Sequence, residues 1–166
     1  MNISGLSTDI FFVAAIKSNA DLMELLPAHD VYDNVANPDV DMDNVKLPYI
    51  IVNNDGGRNV AESKDDDFES SNDSVNISVR IAARNRQQLD DIATMVRDTI
   101  RQYTLDVVSV VPGDEHDVYC LAPYDYEFSF SDIAFIPDKP AHQIVLYYQC
   151  EVFNELKEKD DEQENL

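Results

Sequence analysis

Between residues 74 and 103 the hydrophobic pattern changes period, from every second residue to every third or fourth, across a hinge only a few residues long. Val75, Ile77, Val79, Ile81 and Ala83 alternate with Asn76, Ser78 and Arg80. Side chains of a strand point to opposite faces in turn, so this spacing predicts a half-buried β-strand. Leu89, Ile92, Ala93, Val96, Ile100 and Tyr103 then fall on one face of a helix, with Asp90, Asp91, Arg97, Asp98 and Arg101 left for water. Asn85 is placed to accept from a free first-turn N–H, and Gln88, three residues on, to answer it as in a capping box. A strand feeding straight into an amphipathic helix specifies a scaffold rather than a reaction centre.

The remaining elements are read around that unit. Thr8 or Asp9 caps a first helix that buries Phe12, Ala15, Ile16, Leu22, Met23 and Leu26, with a break near Ser18 and Asn19 and an end at Pro27. Residues 28–46 carry five aspartates and little periodicity, predicting a surface loop with one short extended piece around Val31. Residues 47–53 form a compact apolar run expected to be a central strand, with Pro48 near its start where a missing N–H does least damage. Asn54-Asp55-Gly56-Gly57 has the composition of a turn. Residues 62–73 hold six carboxylates and one lysine, with Phe68 the one large apolar side chain, and are expected to form a hairpin-like excursion unable to hold itself rigid.

After the helix, residues 104–106 are expected to be a connection, with 107–111 a short strand and 118–121 a candidate for another. Tyr124, Tyr126, Phe128 and Phe130 alternate with Asp125, Glu127, Ser129 and Ser131 and predict a strand that residues 133–136 extend or follow. Pro137 and Pro140 bracket a turn. Ile144, Leu146, Tyr148, Cys150 and Val152 predict a last long strand over 142–152. The expected fold is α+β, a mostly antiparallel sheet with two main helices packed on it. One domain spans residues 1–153, followed by an acidic tail, 154–166, expected to be disordered alone.

At 166 residues, a chain can bury roughly 70% of its unfolded surface, so the core needs no metal or disulfide staple. No apolar run approaches the roughly 20 residues of a membrane span, and residues 1–6 show no secretory signal, so a soluble protein made in a cytoplasm is expected. Cys120 and Cys150 each sit in an apolar stretch and are expected to be buried thiols. The compositional extreme is charge: 33 acidic against 12 basic residues give a net charge of −21. That opposes direct binding to nucleic acid phosphates and to anionic membranes.

No set of residues converges on a reaction. Asp114-Glu115-His116-Asp117 offers four ligands in a row, but neighbours in an extended segment alternate faces, so the expectation is a solvated loop. Asp65-Asp66-Asp67 lacks the glycine and closing glutamate of a calcium loop. His29 and His142 have no ligand-spaced partner. The serines lack a nucleophile elbow, and Gly56-Gly57 lacks the rest of a phosphate cradle. The chain is therefore expected to be no enzyme and to have no catalytic, cofactor or metal residues and no cofactor. Tyr124, Tyr126, Phe128 and Phe130 would need a basic groove to stack on bases and are expected in the core or in an interface.

The helical segment ending in Asp21-Leu22-Met23-Glu24-Leu25-Leu26-Pro27, the strand Leu47-Pro48-Tyr49-Ile50-Ile51-Val52, the strand-to-helix unit at 75–103 and a long strand at 143–152 occur in an order. That order resembles the tail terminator, or tail completion, proteins of long-tailed bacteriophages. The resemblance implies a structural virion protein that self-associates into a ring, a hexamer in that family. The ring would sit on the tail tube between the tube protein and the head-tail connector, in a tail assembled in the bacterial host cytoplasm. The excursion at 62–73 and the tail after Phe153 depart from the pattern and bear on ring size and neighbours. A negative channel would let DNA pass without sticking. The alternative is an acidic DNA mimic that blocks a nucleic-acid-binding protein, which requires carboxylates on a stiff surface.

Overall fold

Helices cover one face of the sheet, and on its other face Tyr49, Ile51 and Ala82 form a smaller buried cluster with Tyr32 and Leu47 packed against it. The computed structural model describes residues 6, 8–33, 46–60, 70–110, 124–134 and 140–155. Its elements are α1 (Thr8–Lys17), α2 (Ala20–Leu25), β1 (Tyr32–Asp33), β2 (Tyr49–Val60), β3 (Ser70–Ala83), α3 (Arg86–Val110), β4 (Tyr124–Ala134) and β5 (Pro140–Glu155). The sheet order is β1-β2-β3-β5-β4. The two-residue β1 runs parallel to β2, and the other neighbours are antiparallel. The fold is α+β with a mostly antiparallel sheet, as the hydrophobic periods require.

Strand β3 lies at the centre, and each of its residues from Ser70 to Ala83 is paired with β5. Its odd-numbered apolar side chains Val75, Ile77, Val79, Ile81 and Ala83 are buried beneath the helices. Ile50 and Val52 of β2 join them, as do Ile144, Leu146, Tyr148, Cys150 and Val152 of β5. From above, α3 contributes Leu89, Ile92, Ala93, Val96 and Ile100, and α1 contributes Phe11, Phe12, Ala15 and Ile16. Phe12 meets Tyr148 edge to face at 5.2 Å, and Phe11 meets Tyr103 at 5.4 Å. Cys150 is a buried thiol 3.7 Å from the Val75 carbonyl; Cys120 lies outside the described residues.

Local chemistry sets the helix ends. Asn85 Oδ1 accepts from the Gln88 N–H at 2.8 Å, which makes Asn85 the cap of α3. The break at Ser18 and Asn19 is present: Asn19 caps α2 by accepting from the Leu22 N–H, while its Nδ2 donates to Thr99 of α3 at 2.9 Å. One side chain thus starts a helix and ties it to the next. Leu26, which precedes Pro27, is extended at ψ 127°, as the proline ring demands, and α2 ends there. Thr8 and Asp9 lie within the first turn of α1 and are buried.

Four further expectations are corrected. Residues 104–106 are not a connection and 107–110 are not a strand, because α3 continues to Val110. Adding a residue to a formed helix costs little, which outweighs the β propensity of valines; the buried Thr104 hydroxyl satisfies itself within the helix by donating to the Ile100 carbonyl at 2.8 Å. Asn54-Asp55-Gly56-Gly57 is not a turn. The pairing with β3 runs through it, with Asp55 bulged out between Asn54 and Gly56. Gly56 takes φ +93°, and a Cβ on Gly57 would run into the Ser74 carbonyl. Residues 70–73 belong to β3 rather than to the acidic excursion, and β5 carries the sheet to Glu155, two residues into the expected tail. Residues 1–5, 7, 34–45, 61–69, 111–123, 135–139 and 156–166 lie outside the description, and with them the expectations for Asp65-Asp66-Asp67, Asp114-Glu115-His116-Asp117, Pro137, 118–121 and most of the tail.

Tyr148 is 3% exposed, and its hydroxyl has no hydrogen-bond partner among the described residues. Burial, and secondarily the Asp125 charge, hold its pKa well above the ordinary tyrosine value, with Arg97 and Arg101 opposing. Burial also raises Tyr49, against the pull of Arg80. A raised folded pKa gives a contribution that is complete below the unfolded value, near 10, and lost as pH rises through the folded one. The urea midpoint is therefore expected to hold at neutral pH and fall above about pH 10. In Tyr148→Phe the fall should be shallower, and stability at pH 7 should be equal or up to ~1 kcal/mol higher, since a hydroxyl without a partner is removed. An equally steep alkaline fall in that variant would exclude Tyr148 as the group responsible.

Candidate interaction surface

Five strands at about 4.8 Å spacing span roughly 24 Å, while two helices about 10 Å wide cover roughly 20 Å. The strand left over is β4. Helix α3 packs over β3 and β5 and reaches β4 through two arginines. Arg97 Nε meets Asp125 Oδ2 at 2.6 Å, and the Arg86 guanidinium carbon stands 3.6 Å above the centre of the Phe130 ring. Arg86 also pairs with Asp90 at 3.0 Å, one turn along its own helix.

Between these anchors the aromatic side chains of β4 meet solvent. Tyr126 is 45% exposed, Phe128 53% and Phe130 41%. Isolated exposed apolar residues are ordinary; three large ones within five positions of a sheet edge are not. The sequence alternation suggests that all share one face, and the structure corrects this. A register shift between Asp125 and Glu127 makes Tyr126 the bulged residue. Phe128 pairs with Leu146 and Phe130 with Ile144, which sets both on the helix side, where their rings meet edge to face at 5.8 Å. Tyr126 instead approaches Tyr147 on the face away from the helices, 6.3 Å between ring centres. An inserted residue reverses the parity of a strand, and nothing in a clean alternation announces it.

On its outer side β4 has no strand partner among the described residues. A long strand with an open edge and apolar side chains is a template for association. Its acidic groups are partly compensated within the chain. Asp125 is held by Arg97, and Asp132 Oδ1 lies 2.8 Å from His142 Nδ1 across the β4–β5 pair. Glu127 is exposed on the face away from the helices.

A shallow depression of about 370 Å³ lies where α3 begins, lined by Arg86, Phe130, Ser131, Asp132, His142 and Gln143. Asp132 and His142 stand together there, whereas pairing places Ser131 opposite Gln143 on the alternate parity, and Gln143 Nε2 lies 3.4 Å from its hydroxyl. Aspartate, histidine and serine therefore do not line up for nucleophilic chemistry. His29 is an exposed residue at φ +49° whose Nδ1 lies 3.2 Å from the Met23 carbonyl oxygen. Among the described residues no group of three or more His, Cys, Asp or Glu side chains could hold a metal ion, and no helix is long and apolar enough to cross a membrane. No protein-family model matches the chain, and no curated protein matches it.

Proposed function

We propose that this chain is a non-enzymatic structural protein that self-associates, and that it serves as a tail terminator of a long-tailed bacteriophage. In that role it forms a ring on the tail tube, contacts the tube protein and the head-tail connector, and resides in the virion after assembly in the host cytoplasm. The observation that carries the reading is the β4 edge, where three half-exposed aromatics sit on a strand that has no outer strand partner among the described residues. The order of helices and strands supports the family, and the acidic excess supports a channel that DNA does not wet. A ring of several copies at −21 each would hold on the order of a hundred negative charges.

Charge also makes the isolated protein reluctant to associate. Raising salt from 0.1 M to 1 M shortens the screening length from roughly 10 Å to about 3 Å, which weakens repulsion between copies more than contact at an apolar patch. Sedimentation velocity is expected to show larger species as salt and protein concentration rise, and negative-stain images to show rings. A strict monomer under all conditions, which also fails to bind isolated tail tubes, would remove the proposal. Stoichiometric capture of a basic nucleic-acid-binding protein by such a monomer would favour a DNA mimic instead.

A further inference from the structure

Strand β4 closes the sheet at one margin, and its residues 127–132 are all exposed although β5 pairs with each of them. A strand paired on one side presents a row of backbone N–H and C=O groups on the other. What can pair there is set by the side chains, because residues opposite each other on neighbouring strands share a face and stand about 5 Å apart. Past the bulge at Tyr126 the segment runs Glu127-Phe128-Ser129-Phe130-Ser131. Phe128 and Phe130 lie on the helix side, and Glu127, Ser129 and Ser131 on the other. About Ser129 the pattern is the same in both directions, aromatic on one face and small or polar on the other.

From that symmetry we infer that β4 pairs antiparallel with β4 of a second copy, about a two-fold axis at Ser129, to give one sheet that runs through both molecules. In this register Phe128 of each copy stands opposite Phe130 of the other, and serine meets serine at the axis. Aromatic pairs and hydroxyl pairs are favourable cross-strand combinations. Glu127 faces Ser131 of the second copy, and the two Glu127 side chains stay roughly 14 Å apart, four residues along the strand. Neighbouring registers lose this match. Moving the axis to Phe130 or Ser131 sets an aromatic ring opposite Asp132, and moving it to Phe128 runs Phe130 into the bulge of the second copy. Where the pairing ends, Asp132 approaches Asp125 of the second copy, and each already has a partner in its own chain, His142 and Arg97.

The inference rests on the self-association proposed above and not on the phage role. A two-fold contact closes at two copies, so growth to a ring requires a second, different surface. Five paired residues make a small contact, and a covalent trap reads it best.

The test uses the full chain at high salt, with the parent, whose Cys150 is buried, as the control for its own thiols. Ser129→Cys puts one thiol on each side of the axis, close enough for a disulfide, and should give a dimer under mild oxidation whose cross-link maps to position 129 in both copies. Glu127→Cys and Ser131→Cys each stand roughly 14 Å from their own counterparts, beyond disulfide reach. Alone they should cross-link at least tenfold more slowly than Ser129→Cys, yet readily when mixed, because 127 of one copy faces 131 of the other. Phe128→Ser added to Ser129→Cys should slow the cross-link at least tenfold while leaving the melting temperature near the parent's, since Phe128 is 53% exposed. Ser131→Cys alone cross-linking as fast as Ser129→Cys would overturn the inference. So would a parent that associates while Ser129→Cys gives no cross-link, which would assign the edge to a different chain and leave self-association standing. A parent that stays monomeric, with no cross-link from Ser129→Cys, would overturn both.

Discussion

Replacing Ile92 by Asp is expected to abolish cooperative folding at neutral pH. Ile92 is 1% exposed on the face of α3 that closes the core over β3 and β5. The substitution removes apolar burial and places a carboxyl among the buried apolar side chains of the core. Such changes belong to the group that costs more than about 4 kcal/mol. Total stability of a domain is only about 5–15 kcal/mol, so the loss is a large fraction of it. Any folded remainder should hold the new carboxyl neutral, with a strongly raised pKa, and should regain stability as pH falls. Thermal melting followed by circular dichroism is the measurement. A variant that melts within a few degrees of the parent would show that α3 does not present this face to the sheet.

Gly57→Ala is expected to cost about 1–3 kcal/mol, the range of an overpacked site with no room to relax. The added Cβ would collide with the Ser74 carbonyl and lie 2.9 Å from the Val75 Cα, and both belong to β3, which β5 holds from its other side. Gly56→Ala tests the neighbouring position by a different mechanism. Its Cβ would meet open space, but φ +93° is strained for any other residue, at roughly 1–3 kcal/mol. Urea midpoints of the two variants separate close approach from backbone strain. An unchanged midpoint for Gly57→Ala would contradict the pairing of Gly57 with Val75 and restore the turn that the residue composition suggests.

That contrast marks how far sequence reaches. A run of Asn, Asp and Gly states that the backbone needs special conformations, and both a turn and a bulge use them. The choice between them is made across the sheet, by whether Ser74 and Asn76 stand opposite to accept the pairing. The continuation of α3 past Thr104 has the same character: the valines favour strand locally, while the helix already nucleated extends through them. The break at Asn19 was legible because its residues act within a few positions of themselves. So was the capping by Asn85, since a side chain three residues from its target N–H needs no distant partner.

The candidate surface divides in the same way. The aromatic residues of β4, the edge-seeking charge between them and the acidic excess are written in the sequence, and with them the expectation of core or interface. Which of the two applies depends on the width of the helical layer relative to the sheet, and which face each ring takes depends on the bulge at Tyr126. The periods of β3 and α3 were determined by the sequence alone, because burying one side of a strand or helix is decided by spacing of 2 or 3.6 residues within the element. Strand order, and therefore the placing of β4 at a margin of the sheet, was decided only in the tertiary structure, because it depends on β3–β5 pairs 59 to 85 positions apart that no local period records.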